Sequence, residues 1–187
     1  LLAMIAGFIF LRLRGILGKR TGFEGKNPSQ LKEVLKNINV EQPMKSSEIF
    51  DRSAQEEFLK GAKIAYETII TDFSDNDNKI TTSKPLLNSD VYNQFATALE
   101  ERNTRGHYAE ITFIGINSAV IKEHKKMGEI LIVTVDFIAE VITCIRDNDK
   151  KIVSGDPEKI KKIYDSWVFS RDITSPNPNW QLVSILT

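Results

Sequence analysis

The sequence predicts an α+β domain in which N-terminal helices pack on a strongly curved antiparallel sheet, preceded by a membrane-anchor helix. Three observations carry this expectation. Between residues 53 and 102 apolar side chains recur at helical spacing, after residue 108 the period changes to alternation, and residues 1–11 (LLAMIAGFIFL) are apolar without a break. Helices first and long strands afterwards is the order of an α+β fold rather than of a parallel sheet with crossover helices. At 187 residues and 41% apolar, the chain has room for one domain with accessory sequence and enough apolar surface for a core.

The first eleven residues make about 16 Å of helix, roughly half of the ~30 Å hydrocarbon core of a bilayer. Arg12, Arg14, Lys19 and Arg20 follow directly. Residues 1–26 hold five cations against one carboxylate, a net of +4, which leaves −4 for the rest of this neutral chain. A cleaved secretory signal carries its charges ahead of the apolar stretch, and RLRGILGKR is an awkward continuation for a buried core helix. Residues 1–20 are therefore read as a membrane anchor, completed by apolar residues ahead of Leu1. The four cations lie at acidic headgroups and the folded part on the inner face. The remainder offers no basic stripe for a phosphate backbone, so direct nucleic-acid binding is not expected.

Residues 21–50 have the Gly, Pro, Ser and Asn content of a linker. Within them Leu31, Val34, Leu35 and Ile38 fall on one helical face behind Ser29. This short amphipathic helix packs on the domain, on the membrane surface or on a partner. The domain proper is 51–187. Ser53-Ala54-Gln55-Glu56 has the capping-box pattern and opens a long helix with Phe58, Ala62, Ala65, Ile69 and Phe73 as its stripe, Tyr66 and Ile70 alongside. Asp75-Asn76-Asp77-Asn78 ends it with turn chemistry, and 79–87 form a short helix leading to Pro85-Leu86-Leu87. A further helix runs from about Ser89 to Arg102, with Val91, Phe95, Ala98 and Leu99 inward, and stops near Gly106.

Residues 108–118 (YAEITFIGINS) read as a strand that 119–126 extend, and Met127-Gly128 as a turn. Residues 129–146 alternate most clearly: Leu131, Val133, Val135, Phe137, Ala139, Val141 and Ile145 are apolar at odd positions, while Thr134, Asp136 and Glu140 stand at even ones. Eighteen residues at ~3.3 Å each give about 60 Å of strand, so it must curl, through a bulge. Asp147-Asn148-Asp149-Lys150 reads as a turn and Gly155-Asp156-Pro157 as another. Two more strands follow, 160–172 with Trp167 and Phe169 on one face, and 179–186 with Trp180 and Leu182 together.

Catalytic signals are sparse. Asp136 and Glu140, and likewise Asp165 and Asp172, read as carboxylates of a solvated face, although a strand Asp can serve as a general base. His107 and His124 flank the first strand and read as strand-end histidines. Cys144 alternates onto the face of Ile142 and Asp136 and reads as a plain small side chain; one cysteine excludes an internal disulfide. No ligand spacing for a metal and no Gly-rich phosphate loop is present, so neither cofactor nor metal is expected.

Several segments resemble the Tim-forty-four-like domain family in its short bacterial form: FLKGAKIAYETII (58–70), FIGINSAVI (113–121), VTVDFIAEVITCIRD (133–147), DSWVFSRD (165–172) and PNPNW (176–180). The start LRLRGILGKRTG (11–22) is similar to bacterial members. The resemblance implies a cone like that of nuclear-transport-factor-two-like domains, with helices closing over a bent sheet around an apolar pocket. Tyr66, Phe73, Phe95, Phe137, Trp167, Phe169 and Trp180 would form its walls, and a lipid chain or an apolar side chain would fill it. Mitochondrial members recruit the matrix seventy-kilodalton heat-shock chaperone and bind acidic phospholipids, and a sister branch binds ribosomes. Here only the 21–50 connector stands where those members have a long chaperone-binding segment. The function so implied is that of a non-enzymatic binding domain on the inner face of a bacterial inner membrane, or on the matrix side of the mitochondrial one. It would assist protein translocation, insertion or assembly through acidic phospholipids and polypeptide contacts with a translocase, a chaperone or membrane-protein clients. The alternatives are a small-molecule pocket domain, binding or isomerase-like, and a ribosome-docking adaptor.

Overall fold

The computed structural model describes residues 50–74 and 80–186. The anchor, the connector helix and the Asp75–Asn78 turn lie outside these residues, as do Arg12, Arg14, Lys19 and Arg20. No helix among the described residues is long and apolar enough to cross a membrane. The described chain runs α1 (Arg52–Ser74), a 3₁₀ turn (Lys84–Leu86), α2 (Ser89–Thr104), β1 (Tyr108–Met127), β2 (Ile130–Arg146), β3 (Ile152–Asp172) and β4 (Gln181–Leu186). The four strands form one antiparallel sheet in sequence order. The α+β expectation holds.

Helix α1 begins one residue ahead of the expected capping box. Its cap is Asp51, whose carboxylate accepts the Ala54 N–H at 2.8 Å, not Ser53. The Gln55 amide donates to Phe50 O at 3.0 Å and secures the entry. The expected stripe of Phe58, Ala62, Ala65, Ile69 and Phe73 is buried, and Tyr66 is fully enclosed. From the last turn of α1, Asp72 ties the next segment back. Its carboxylate accepts from Ser83 N at 2.9 Å and from Ser83 Oγ at 2.5 Å, which fixes the residue that precedes the 3₁₀ turn. Asn88 caps α2 through Val91 N at 2.9 Å. The helix ends at Gly106, whose φ of +65° lets Gly106 N reach Asn103 O and His107 N reach Arg102 O.

The long strands curl as their length requires. Strand β1 slips register against β2 three times, between Phe113 and Gly115, Ile116 and Ser118, and Ile121 and Glu123. Each slip admits an extra residue that bends the strand and spoils its open edge as a template for pairing. One expectation is overturned: Gly155-Asp156-Pro157 lies inside β3 and does not separate two strands. Pairing with β2 passes from Thr143↔Asp156 to Ile142↔Ile160, so residues 157–159 form a large bulge. Gly155 permits it by taking φ +86° so close to the neighbouring strand that a Cβ would lie 2.2 Å from Thr143 O. The Asp147–Lys150 turn is as expected, with Asp147 Oδ1 accepting from Asp149 N and Lys151 N.

The core lies between the helices and the inner face of the sheet. Val133, Val135, Phe137 and Ala139 of β2 and Trp167 and Phe169 of β3 are buried beneath α1. Tyr66 stacks on Phe137 with centroids 4.4 Å apart and meets Trp167 at 4.5 Å. Such aromatic contacts contribute about 0.5–1.5 kcal/mol each beyond the area they bury.

Candidate functional site

The seven aromatics expected to wall one pocket divide into three groups. Tyr66 and Phe137 are packed into the middle of the core. Phe73, Phe95 and Trp167 line a small apolar cavity of about 100 Å³ at one end, with Ile69, Val141 and Arg102. Phe169 and Trp180 line a larger open groove of about 530 Å³ at the other end, together with Phe50, Phe58, Gly61, Leu131 and Arg171. Ligand sites commonly measure roughly 300–1,000 Å³, a range that admits the groove and leaves out the small cavity.

The groove is built from three directions. Helix α1 supplies Ala54, Phe58, Gly61, Ala62 and Ala65, the floor is Leu131 of β2 and Phe169 of β3, and the segment leading into β4 supplies Pro178, Asn179 and Trp180. Its wall is aromatic, with Phe58 and Trp180 at 4.5 Å, Phe50 and Phe58 at 5.7 Å and Phe50 and Trp180 at 5.9 Å. Gly61 leaves the helix side open, since a Cβ placed there would meet nothing within 4 Å. A mid-helix glycine costs about 1 kcal/mol relative to alanine, and no close backbone approach demands it here. Arg171 places a cation in these apolar surroundings, and its buried Nε–H has no hydrogen-bond partner among the described residues.

Polar groups inside the core are few. Tyr66 Oη donates to Asp165 Oδ2 at 2.5 Å, across 99 residues of sequence. Burial pushes the Asp165 carboxyl above its usual range, with the Tyr66 hydrogen bond opposing. Burial, and then the neighbouring carboxylate, push the Tyr66 phenol up as well. Asp165 is thus not on the solvated face where it was expected. Residues i and i+2 of a strand share a face, so its position two before Trp167 puts it with the core. Arg102 crosses the Phe73 ring at 5.2 Å and donates to Phe73 O at 2.9 Å, while burial lowers its pKa. The indole N–H of Trp167 is buried at the small cavity with no partner among the described residues.

Of the other sequence candidates, Cys144 lines the small cavity, whereas Asp136, Glu140, Asp172, His107 and His124 line neither hollow. On the outer face of the sheet, Asp136 accepts from Ser166 Oγ and sits 3.7 Å from Lys122 Nζ, and Glu140 accepts from Asn117 at 3.1 Å. Asp172 closes a turn with Thr174, whose hydrogen bonds hold its carboxyl below the usual range. The His107 N–H closes the end of α2, and the His124 ring lies 5.2 Å from Phe50. Cys144 is buried, between Glu110 and Gly155 in the ladder. No group of three His, Cys, Asp or Glu among the described residues could hold a metal ion. Sequence reasoning passed over Gly61 and Arg171. A glycine within a helical stripe was the available signal for the first, and a position two past Phe169 for the second.

Comparison with known proteins follows the same span. A family model described as the Tim44-like domain matches residues 46–187. The "Probable mitochondrial import inner membrane translocase subunit tin-44" of Caenorhabditis elegans is 28% identical over 99 residues, covering 51% of this chain and 23% of that protein. The mitochondrial import inner membrane translocase subunits TIM44 of Mus musculus and Homo sapiens are 29% and 28% identical over 99 residues, each covering 51% of this chain and 22% of the relative. The chain thus spans under a quarter of the length of these relatives. Among solved structures, the intermembrane space region of the chloroplast protein ARC6 superposes with a TM-score of 0.45 at 13% identity, over 68% of this chain and 94% of that one.

Proposed function

Because the chain belongs to the Tim44-like domain family, we propose that it is a non-enzymatic binding domain that holds polypeptide segments beside a membrane during translocation, insertion or assembly. The observation that carries this reading is the open aromatic groove of about 530 Å³ over α1, wide and apolar enough for a short stretch of side chains. The similarity to mitochondrial import inner membrane translocase subunits supports the same direction. In this proposal residues 1–20 anchor the chain, 21–50 link it and 51–187 form the binding domain. The membrane is a bacterial inner membrane with the domain on the cytoplasmic side, or the mitochondrial inner membrane with the domain in the matrix. Arg12, Arg14, Lys19 and Arg20 meet acidic headgroups there, each contributing on the order of 1 kcal/mol.

Cross-linking in gently solubilised membranes, followed by purification of the tagged chain, tests it. Recovery of translocase subunits, a chaperone or nascent membrane proteins is expected. Recovery of ribosomal proteins alone would favour an adaptor role instead. A second reading, a small-molecule pocket, draws on the small cavity and the unpartnered indole N–H of Trp167. Asp136 is a poor candidate base for it, being on the outer face, whereas Asp165 is buried and held by Tyr66. Saturable uptake of an apolar carbonyl compound by the full chain, lost on Trp167→Phe, would establish that role.

A further inference from the structure

The groove beside α1 is not uniformly apolar, since Glu57 and Arg171 both line it. Arg171 follows Trp167 and Phe169 on the inner side of β3, so strand alternation carries its stem over the floor. The Nε–H is shielded from solvent and has no acceptor among the described residues, and none of the ion pairs among those residues involves it. Arg171 as a whole is half-buried and lines the groove, and a carboxylate suits a guanidinium best because it accepts two parallel hydrogen bonds. Gly61, on the helix that lines the same groove, keeps that side clear.

We propose that this groove binds a short apolar segment of another polypeptide that carries one carboxylate, which pairs with Arg171 while the flanking side chains lie against Phe58, Phe169 and Trp180. The inference rests on the polypeptide-binding reading above and adds what that reading lacks, the chemistry of the segment. A peptide suits the walls better than a lipid does. The Asn179 amide can pair with a peptide backbone but gains nothing from a hydrocarbon chain.

The test uses the full chain in mild detergent and two dye-labelled octapeptides of Leu, Phe and Ala, one with a central Glu and the other with Gln. Binding is read by anisotropy and by Trp180 emission. The Glu peptide is expected to bind at least five-fold more tightly than the Gln peptide. Arg171→Gln should abolish that preference. Gly61→Leu should weaken both peptides ten-fold or more without lowering the thermal midpoint, because leucine is the better helix former. Equal affinity of the two peptides, or undiminished binding to Gly61→Leu, would overturn the carboxylate-and-groove proposal alone. No binding of either peptide would overturn the polypeptide-binding reading as well. Displacement of bound peptide by micromolar dodecanol, an acyl-length chain without a carboxylate, would make the groove a lipid site and overturn it. So would a ten-fold gain in peptide affinity on joint Leu31→Asp and Leu35→Asp substitution, since the chain's own residues 31–38 would then be the occupant.

Discussion

Asp165 stands opposite Phe137 in the β2–β3 ladder and takes its hydrogen bond from Tyr66, which itself stacks on Phe137. Removing that phenol leaves a buried carboxyl oxygen without its donor, so Tyr66→Phe is expected to cost about 1–3 kcal/mol in urea unfolding, although its ring packs unchanged. The raised pKa of Asp165 gives a second expectation with a definite sign. Its folded value lies above the unfolded value of about 3.9, so the native state binds the proton more tightly than the unfolded chain. The stability contribution is fully present below the unfolded pKa and is lost as pH rises through the folded one. Asp165→Asn keeps a group that can accept from Tyr66 and cannot ionise. Urea midpoints of the variant should therefore be flatter than wild type from pH 4 upward, and a wild-type slope that persists in the variant would rule out Asp165 as its source.

At the scale of elements, two local devices decide where secondary structure starts and bends. The cap of α1 is the side chain of Asp51, and Asp51→Ala should lower stability by roughly 1 kcal/mol, measured by thermal or urea unfolding. Ser53→Ala should be close to neutral by comparison, although the S-x-x-E pattern favours Ser53 on paper. The bulge in β3 depends on Gly155, where positive φ and contact with Thr143 O coincide. Gly155→Ala is expected to cost about 1–3 kcal/mol, more than an alanine at Gly128, whose φ is +59° but whose Cβ would meet nothing within 4 Å. Similar losses at both positions would show that the dihedral angle alone matters.

For the whole molecule, the proposed membrane contact and the proposed groove draw on different parts of the chain. The cations at 12, 14, 19 and 20 stand in a segment with net +4, whereas the rest of the chain sums to −4. Changing all four to Gln should weaken flotation with anionic liposomes at physiological salt by on the order of 10²-fold or more, given about 1 kcal/mol per charge. Peptide binding in the groove should be untouched. Loss of both together would mean that membrane contact and groove are one surface.

Alternation and helical periodicity alone determined the α+β order, the stripe of α1 and the inward row of β2, because each follows from how side chains repeat along a backbone of fixed pitch. The resemblance of segments in order along the chain reached the family. Only the tertiary structure decided that Gly155-Asp156-Pro157 bulges a strand rather than ending one, because a glycine–proline turn signal records local dihedral preference and not the partner strand beside it. Only it decided that the seven aromatics divide between a packed centre, a small cavity and an open groove. A hollow is set by what several elements leave unfilled between them, and no spacing within one element encodes that remainder. Gly61 and Arg171 carry little meaning along the chain for the same reason, and acquire it where α1 and β3 face each other across the groove.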